Sequence, residues 1–111
     1  MRQVRWHILR DGERVTLTRR APPQFDVMAM TVLPVVREVP LLHQIRQDIW
    51  RALQAVRGFS PVIEAVRMED QLKIRAGGQV AGTVPRAHVE ARIADVLEDP
   101  RHRARWIRCA S

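Results

Sequence analysis

Pro40-Leu41-Leu42-His43-Gln44-Ile45-Arg46-Gln47-Asp48-Ile49-Trp50-Arg51-Ala52-Leu53-Gln54-Ala55-Val56-Arg57-Gly58 is the stretch whose periodicity decides the fold. Leu42, Ile45, Ile49, Leu53 and Val56 recur at spacings of three and four, so on a helix they form one apolar stripe. Pro40 suits the first turn of that helix and Gly58 the position just past its end. Full burial of the five aliphatic side chains contributes about 7–15 kcal/mol before conformational entropy is subtracted. At about 100° per residue, His43, Arg46, Trp50 and Arg57 fall together along one flank of the stripe.

Upstream of this helix the sequence reads as strands. Asp11-Gly12 is a two-residue hairpin turn, which pairs Ile8 with Val15 and Trp6 with Leu17. Val4, Trp6, Ile8, Val15 and Leu17 then share one face; Leu9 falls on the other, with Arg5, His7, Arg14, Thr16 and Thr18. Ala21-Pro22-Pro23 breaks the pattern. Phe25 to Leu33 is an almost unbroken apolar run closed by Pro34, the pattern of a central strand buried on both faces. A start at Met28 or Met30 would make residues 1–24 a peripheral appendage.

Downstream, Pro61 to Met68 and Leu72 to Arg75 read as a second hairpin about Glu69-Asp70 whose register is open; one pairing sets Glu64 opposite Arg75 as a cross-strand ion pair. A glycine-rich connection, Ala76 to Gly82, leads to a second helix opened by Pro85, with Val89, Ile93, Val96 and Leu97 as its stripe. Asp99 is an N-cap for a last short helix from Pro100. The expectation is a single α+β domain over 1–111. Its antiparallel sheet is built from the N-terminal hairpin, the central strand and the second hairpin. Two main helices pack on one face, with a short C-terminal helix beside them. From Phe25 onward the element order is similar to the first five elements of a ferredoxin-like arrangement, with a helix in place of the last strand.

Composition narrows the function classes. The 111 residues are 46% hydrophobic and 28% charged, values of an ordinary globular chain. One cysteine, Cys109, excludes an intrachain disulfide, and no apolar stretch is long enough to span a bilayer. Charges interrupt the N-terminus before any signal-peptide core forms, so the expectation is a cytoplasmic protein that does not engage a membrane. Only two serines are present, with no tyrosine or asparagine, and the four histidines show no metal-ligand spacing. The acidic pairs Glu69-Asp70 and Glu98-Asp99 belong to a turn and a helix end, outside the apolar setting that acid catalysis needs. No enzyme, cofactor, metal or small-molecule substrate is expected.

The outlier is a net charge of +7, nearly all of it arginine, since Lys73 is the only lysine. Residues 1–27 carry a net +3, 28–58 carry +2, 59–99 carry −2 and the last twelve carry +4. Arginine forks suit phosphate and carboxylate partners, although GC-rich coding also favours arginine over lysine. On a helix Arg101, Arg105 and Arg108 stack on one face beside Trp106, a row able to follow a phosphate backbone while the indole stacks on a base. Arg46 and Arg57 offer a second basic strip beside Trp50. Gly77, Gly78 and Arg86 form a weaker anion-site candidate between a strand and a helix start. The leading expectation is a non-enzymatic protein that binds an anionic macromolecule, chiefly nucleic acid, through these arginines. The alternative is a protein–protein adaptor anchored by Trp6, Trp50 or Trp106 within an arginine rim.

Overall fold

The computed structural model describes residues 5–111, so the placement of Val4 on the hairpin's apolar face lies outside the described residues. The elements run β1 (His7–Asp11), β2 (Arg14–Thr18), β3 (Val27–Pro34), α1 (Glu38–Ala52), β4 (Ser60–Met68), β5 (Gln71–Gln79), α2 (Arg86–Glu98) and α3 (Pro100–Ala110). The five strands form one sheet in the order β1-β2-β4-β5-β3, every neighbouring pair antiparallel. The expected α+β class holds.

The helix-facing side of the sheet supplies Val15, Leu17, Val27, Leu33, Ile63, Ala65, Leu72, Ile74 and Ala76 to the core. Against them pack Leu41, Leu42, Ile45 and Ile49 of α1, Val89, Ile93, Val96 and Leu97 of α2, and Trp106 and Ala110 of α3. The N-terminal hairpin is therefore no appendage: β2 sits between β1 and β4 and buries Val15 and Leu17.

Strands β3 and β4 run parallel with β5 between them, and α1 connects them. That is the split βαβ unit of a ferredoxin-like arrangement. Among the described residues no strand occupies the position beside β3, where such an arrangement would place its last strand, and the N-terminal hairpin extends the opposite side.

Three local expectations change. The first hairpin pairs Ile8 with Leu17 and Arg10 with Val15, two residues away from the expected register. Gly12, at φ 59, is the first of two loop residues instead of the second, the place where a II′ turn takes glycine. A slip of two preserves side-chain parity, so Trp6, Ile8, Val15 and Leu17 still face the helices.

Helix α1 ends at Ala52, five residues short of Arg57. Leu53 is still buried because the turns that follow keep it and Val56 against the core. Gly58, at φ 69, is needed where the chain passes Ala81, whose Cβ would collide with any side chain there. The third change concerns β3, which is an edge strand, not a central one. Its helix side buries Val27 and Leu33, while Met30 and Val32 on the other side stand exposed.

The register left open for the second hairpin is the one that sets Glu64 across from Arg75. Glu64 is buried and receives Arg75 at 2.9 Å and Arg14 at 3.6 Å. Asp99 caps α3, accepting from the Arg101 N–H at 2.8 Å and the His102 N–H at 3.4 Å. The Arg101 N–H is the main reason its carboxyl sits below the usual range.

Candidate interaction surfaces

Along α1, Asp48 stands about 200° from both Arg46 and Trp50 at the helical rotation per residue, so the helix has two opposite flanks. What packs on each flank differs.

The Asp48 flank is closed. Helix α3 lies along it, joined at one end by an Arg37 N–H to Ala110 C=O bond of 2.9 Å. The Trp106 indole is fully buried and donates its Nε1–H to Asp48 Oδ2 at 2.7 Å. Arg105 donates to the same oxygen, and Arg51 approaches the other at 3.8 Å. A buried carboxylate that satisfies an indole and is neutralised by a guanidinium is an internal fastening. His102 stacks over Trp106 with ring centroids 5.8 Å apart. Arg103 donates to the Thr31 hydroxyl and to the carbonyls of Leu97 and Val32, which pins α3 to β3.

These contacts divide the expected C-terminal row. Trp106 lies in the core and is out of reach of a nucleobase, because its position around α3 turns it toward α1 and Asp48. Arg105 spends its charge on Asp48. Arg101 and Arg108 are exposed and have no carboxylate partner among the described residues.

The opposite flank is open. Trp50 is 48% exposed and shares a shallow depression of about 290 Å³ with Trp6, Arg19, Arg46 and Pro61. The Arg46 guanidinium lies over the Trp6 ring, 4.7 Å from its centroid. Its Nη2 reaches His43 Nδ1 at 3.4 Å, which requires that nitrogen to be the unprotonated acceptor. Burial, and then the charge of Arg46, hold His43 below the usual imidazole range. Neither Arg19 nor Arg46 has a carboxylate partner among the described residues.

Trp6, Arg19 and Pro61 come from the ends of three strands. Continued by one residue, the β1–β2 and β2–β4 registers bring all three level on the helix-facing side. Reading the sequence missed Arg19 as a member, because the two-residue register difference gave its place opposite Trp6 to Leu17. The available signal is Gly12 itself, since a glycine also suits the first position of a two-residue II′ loop.

Arg57 does not extend this flank. It lies beyond α1 in a loop, where its carbonyl accepts from the Ala81 N–H at 3.2 Å. There it lines an open groove of about 740 Å³ with His88 and Arg92 of α2, and Arg92 already donates to Ala52 C=O at 2.8 Å.

The glycine candidate also disperses. Gly77 and Gly78 are buried inside β5, paired with β3 and β4, and a Cβ on either would strike the Val27 or Ser60 carbonyl. Arg86 is engaged with Glu90 at 3.3 Å, one turn along its own helix.

The remaining surface is the sheet face opposite the helices. The registers set Leu9, Thr16, Glu64, Arg75 and Met30 in one row across it, and Arg14, Val66, Lys73 and Val32 in the next. Met68 and Gln71 follow. Phe25 crosses beneath Arg75, whose guanidinium stands 4.1 Å from the ring centroid, and so closes one end of this face.

Among the described residues no helix is long and apolar enough to cross a membrane, and no cluster of metal-ligating side chains occurs. Comparison with family models, curated proteins and solved structures finds no match.

Proposed function

We propose that this chain is a non-enzymatic binding protein that takes a protein partner at the open flank of α1. Trp50 is the anchor, and Arg19 and Arg46 form the rim. The observation that carries the reading is a large, half-exposed indole held beside a second indole and a proline, with two cations that no carboxylate neutralises among the described residues. Tryptophan and arginine are the residue types that dominate binding energy at protein interfaces, where they fill a partner's pocket and bond its rim carbonyls and carboxylates. Trp6, clamped under Arg46, keeps the site in shape before a partner arrives, which lowers the entropy lost on binding.

Affinity capture with the whole protein, after nuclease treatment and at moderate salt, tests this reading. The same partner should be retained by the wild type and lost by Trp50→Ala. Retention of every captured protein by Trp50→Ala would refute it.

Nucleic-acid binding is the second reading. It draws support from the net charge of +7 and from Arg101 and Arg108, both exposed and unpaired among the described residues. With Trp106 buried and Arg105 engaged, the row retains about two phosphate contacts, for a log K against log salt slope of roughly −2 on duplex DNA. A polarisation titration at low salt in which Arg101→Ala plus Arg108→Ala removes binding would favour this reading over the first.

A further inference from the structure

The run from Phe25 to Leu33 is written as a strand buried on both faces, yet the fold covers only one of them. Of the six large hydrophobic side chains left exposed among the described residues, Leu9, Met30, Val32 and Met68 all lie on the open face of the sheet. Met30 is 46% exposed and Met68 54%. Three of the four methionines, Met28, Met30 and Met68, border one depression of about 310 Å³ on this face. Methionine is the side chain that adapts most readily to an incoming apolar surface. An antiparallel sheet that meets only water on one face normally carries polar residues there, so this clustering calls for an occupant.

The charges identify the occupant's chemistry. Arg14, Lys73 and Arg75 border the same depression, against one carboxylate, Glu64. Glu64 is shared by the two arginines, and Lys73 has no carboxylate partner among the described residues. The other acids nearby, Asp11, Glu69 and Asp70, do not line it. A second copy of this face would bring cation against cation, so the complementary surface is apolar and acidic.

The β3 edge indicates how the occupant lies. In the position of the missing ferredoxin-like strand, Glu90 accepts the Met28 N–H at 2.9 Å and Arg103 donates to Val32 C=O at 2.6 Å. Outward-facing groups taken in this way block strand addition. An occupant therefore packs across the face, as a helix layered on a sheet. We infer that the open face of the sheet, centred on Met30, Val66, Met68 and Lys73, docks an acidic amphipathic helix of a partner protein. This surface is separate from the Trp50 flank, so its success or failure is independent of the function proposed above.

A synthetic helical peptide with a leucine stripe flanked by glutamates, beside the same peptide with lysines for the glutamates, tests the inference by fluorescence polarisation against the whole protein. The glutamate peptide should bind at least roughly tenfold more tightly than the lysine peptide, and Lys73→Glu should erase or reverse that preference. Met30→Glu should weaken binding, whereas Trp50→Ala should leave it unchanged. Lys73 and Met30 are exposed, and circular dichroism of both variants should match the wild type. Equal binding of the two peptides, or indifference to Lys73→Glu, would overturn the inference. A concentration-dependent dimer that Met30→Glu dissolves would also overturn it, by giving the face to a second copy. Single-stranded nucleic acid released by Lys73→Glu would do so as well.

Discussion

Two arginine–tryptophan pairs, Arg46 and Trp50 of α1 and Arg105 and Trp106 of α3, lie on opposite flanks of α1 and have opposite fates. On one flank Trp106 of α3 is buried against Asp48 and Arg105, partly exposed, pairs with the same carboxylate; on the other, Arg46 and Trp50 meet no acid among the described residues and Trp50 stays exposed. The difference rests on a single carboxylate. A buried acid supplies an indole N–H and a guanidinium with the acceptor they lose on leaving water; without one Trp50 remains solvated, and Arg46, half-buried over Trp6, keeps its Nε without a partner among the described residues. An arginine beside a tryptophan is therefore not in itself a binding signature; the position of the nearest acid decides.

Trp106→Ala strikes this contrast hardest. Removing a fully buried indole should cost about 3–5 kcal/mol, measured by urea unfolding. Asp48→Ala comes next, at about 2–3 kcal/mol, because it leaves the Trp106 N–H without its acceptor and Arg105, partly exposed, without its counter-charge. Trp50→Ala should shift stability by less than about 1 kcal/mol while abolishing partner capture. Equal losses of stability at Trp50 and Trp106 would break the distinction between the flanks.

A smaller effect comes from His43. Its imidazole is held below its ordinary pKa, so the unfolded chain takes up a proton there more readily than the folded one. The contribution is present above the unfolded value, near 6.5, and fades as the pH falls through the folded value. An NMR titration of the ring should report the lowered pKa, and Arg46→Met should move it part of the way back up, leaving the larger shift due to burial. The smallest effect belongs to Asp99, whose lowered carboxyl pKa gives stability present above the ordinary carboxylate range and lost as the pH falls through the folded value. Asp99→Ala should flatten that acid limb and lower Tm by a few degrees.

Much of the fold can be read in the sequence because it depends on local periodicity. The stripes of α1 and α2 and the Asp99 cap follow from spacing and turn chemistry, whereas the Glu64–Arg75 pairing is one of several registers open to the second hairpin. What the sequence conceals depends on contacts distant along the chain. Nothing local tells that Asp48 faces Trp106, 58 residues away. Likewise Gly77 and Gly78, which resemble a loop, are glycines because neighbouring strands pass too close for a Cβ. The apolar run in β3 was misread as central because strand order is not written in hydropathy, and its exposed methionines became visible only once the sheet was assembled. The open flank was half legible: Arg46 and Trp50 share a helix face, whereas Arg19 joins them only through the hairpin register.

Acrylamide quenching of tryptophan fluorescence, in two variants that retain only Trp50 or only Trp106 with phenylalanine at the other positions, measures the contrast between the flanks in the free protein. Trp50 should quench several-fold more efficiently than Trp106, which should remain shielded until the chain unfolds. Equal quenching of the two indoles would mean that α3 does not seal the Asp48 flank, and would contradict the division of α1 into a structural and an interacting side.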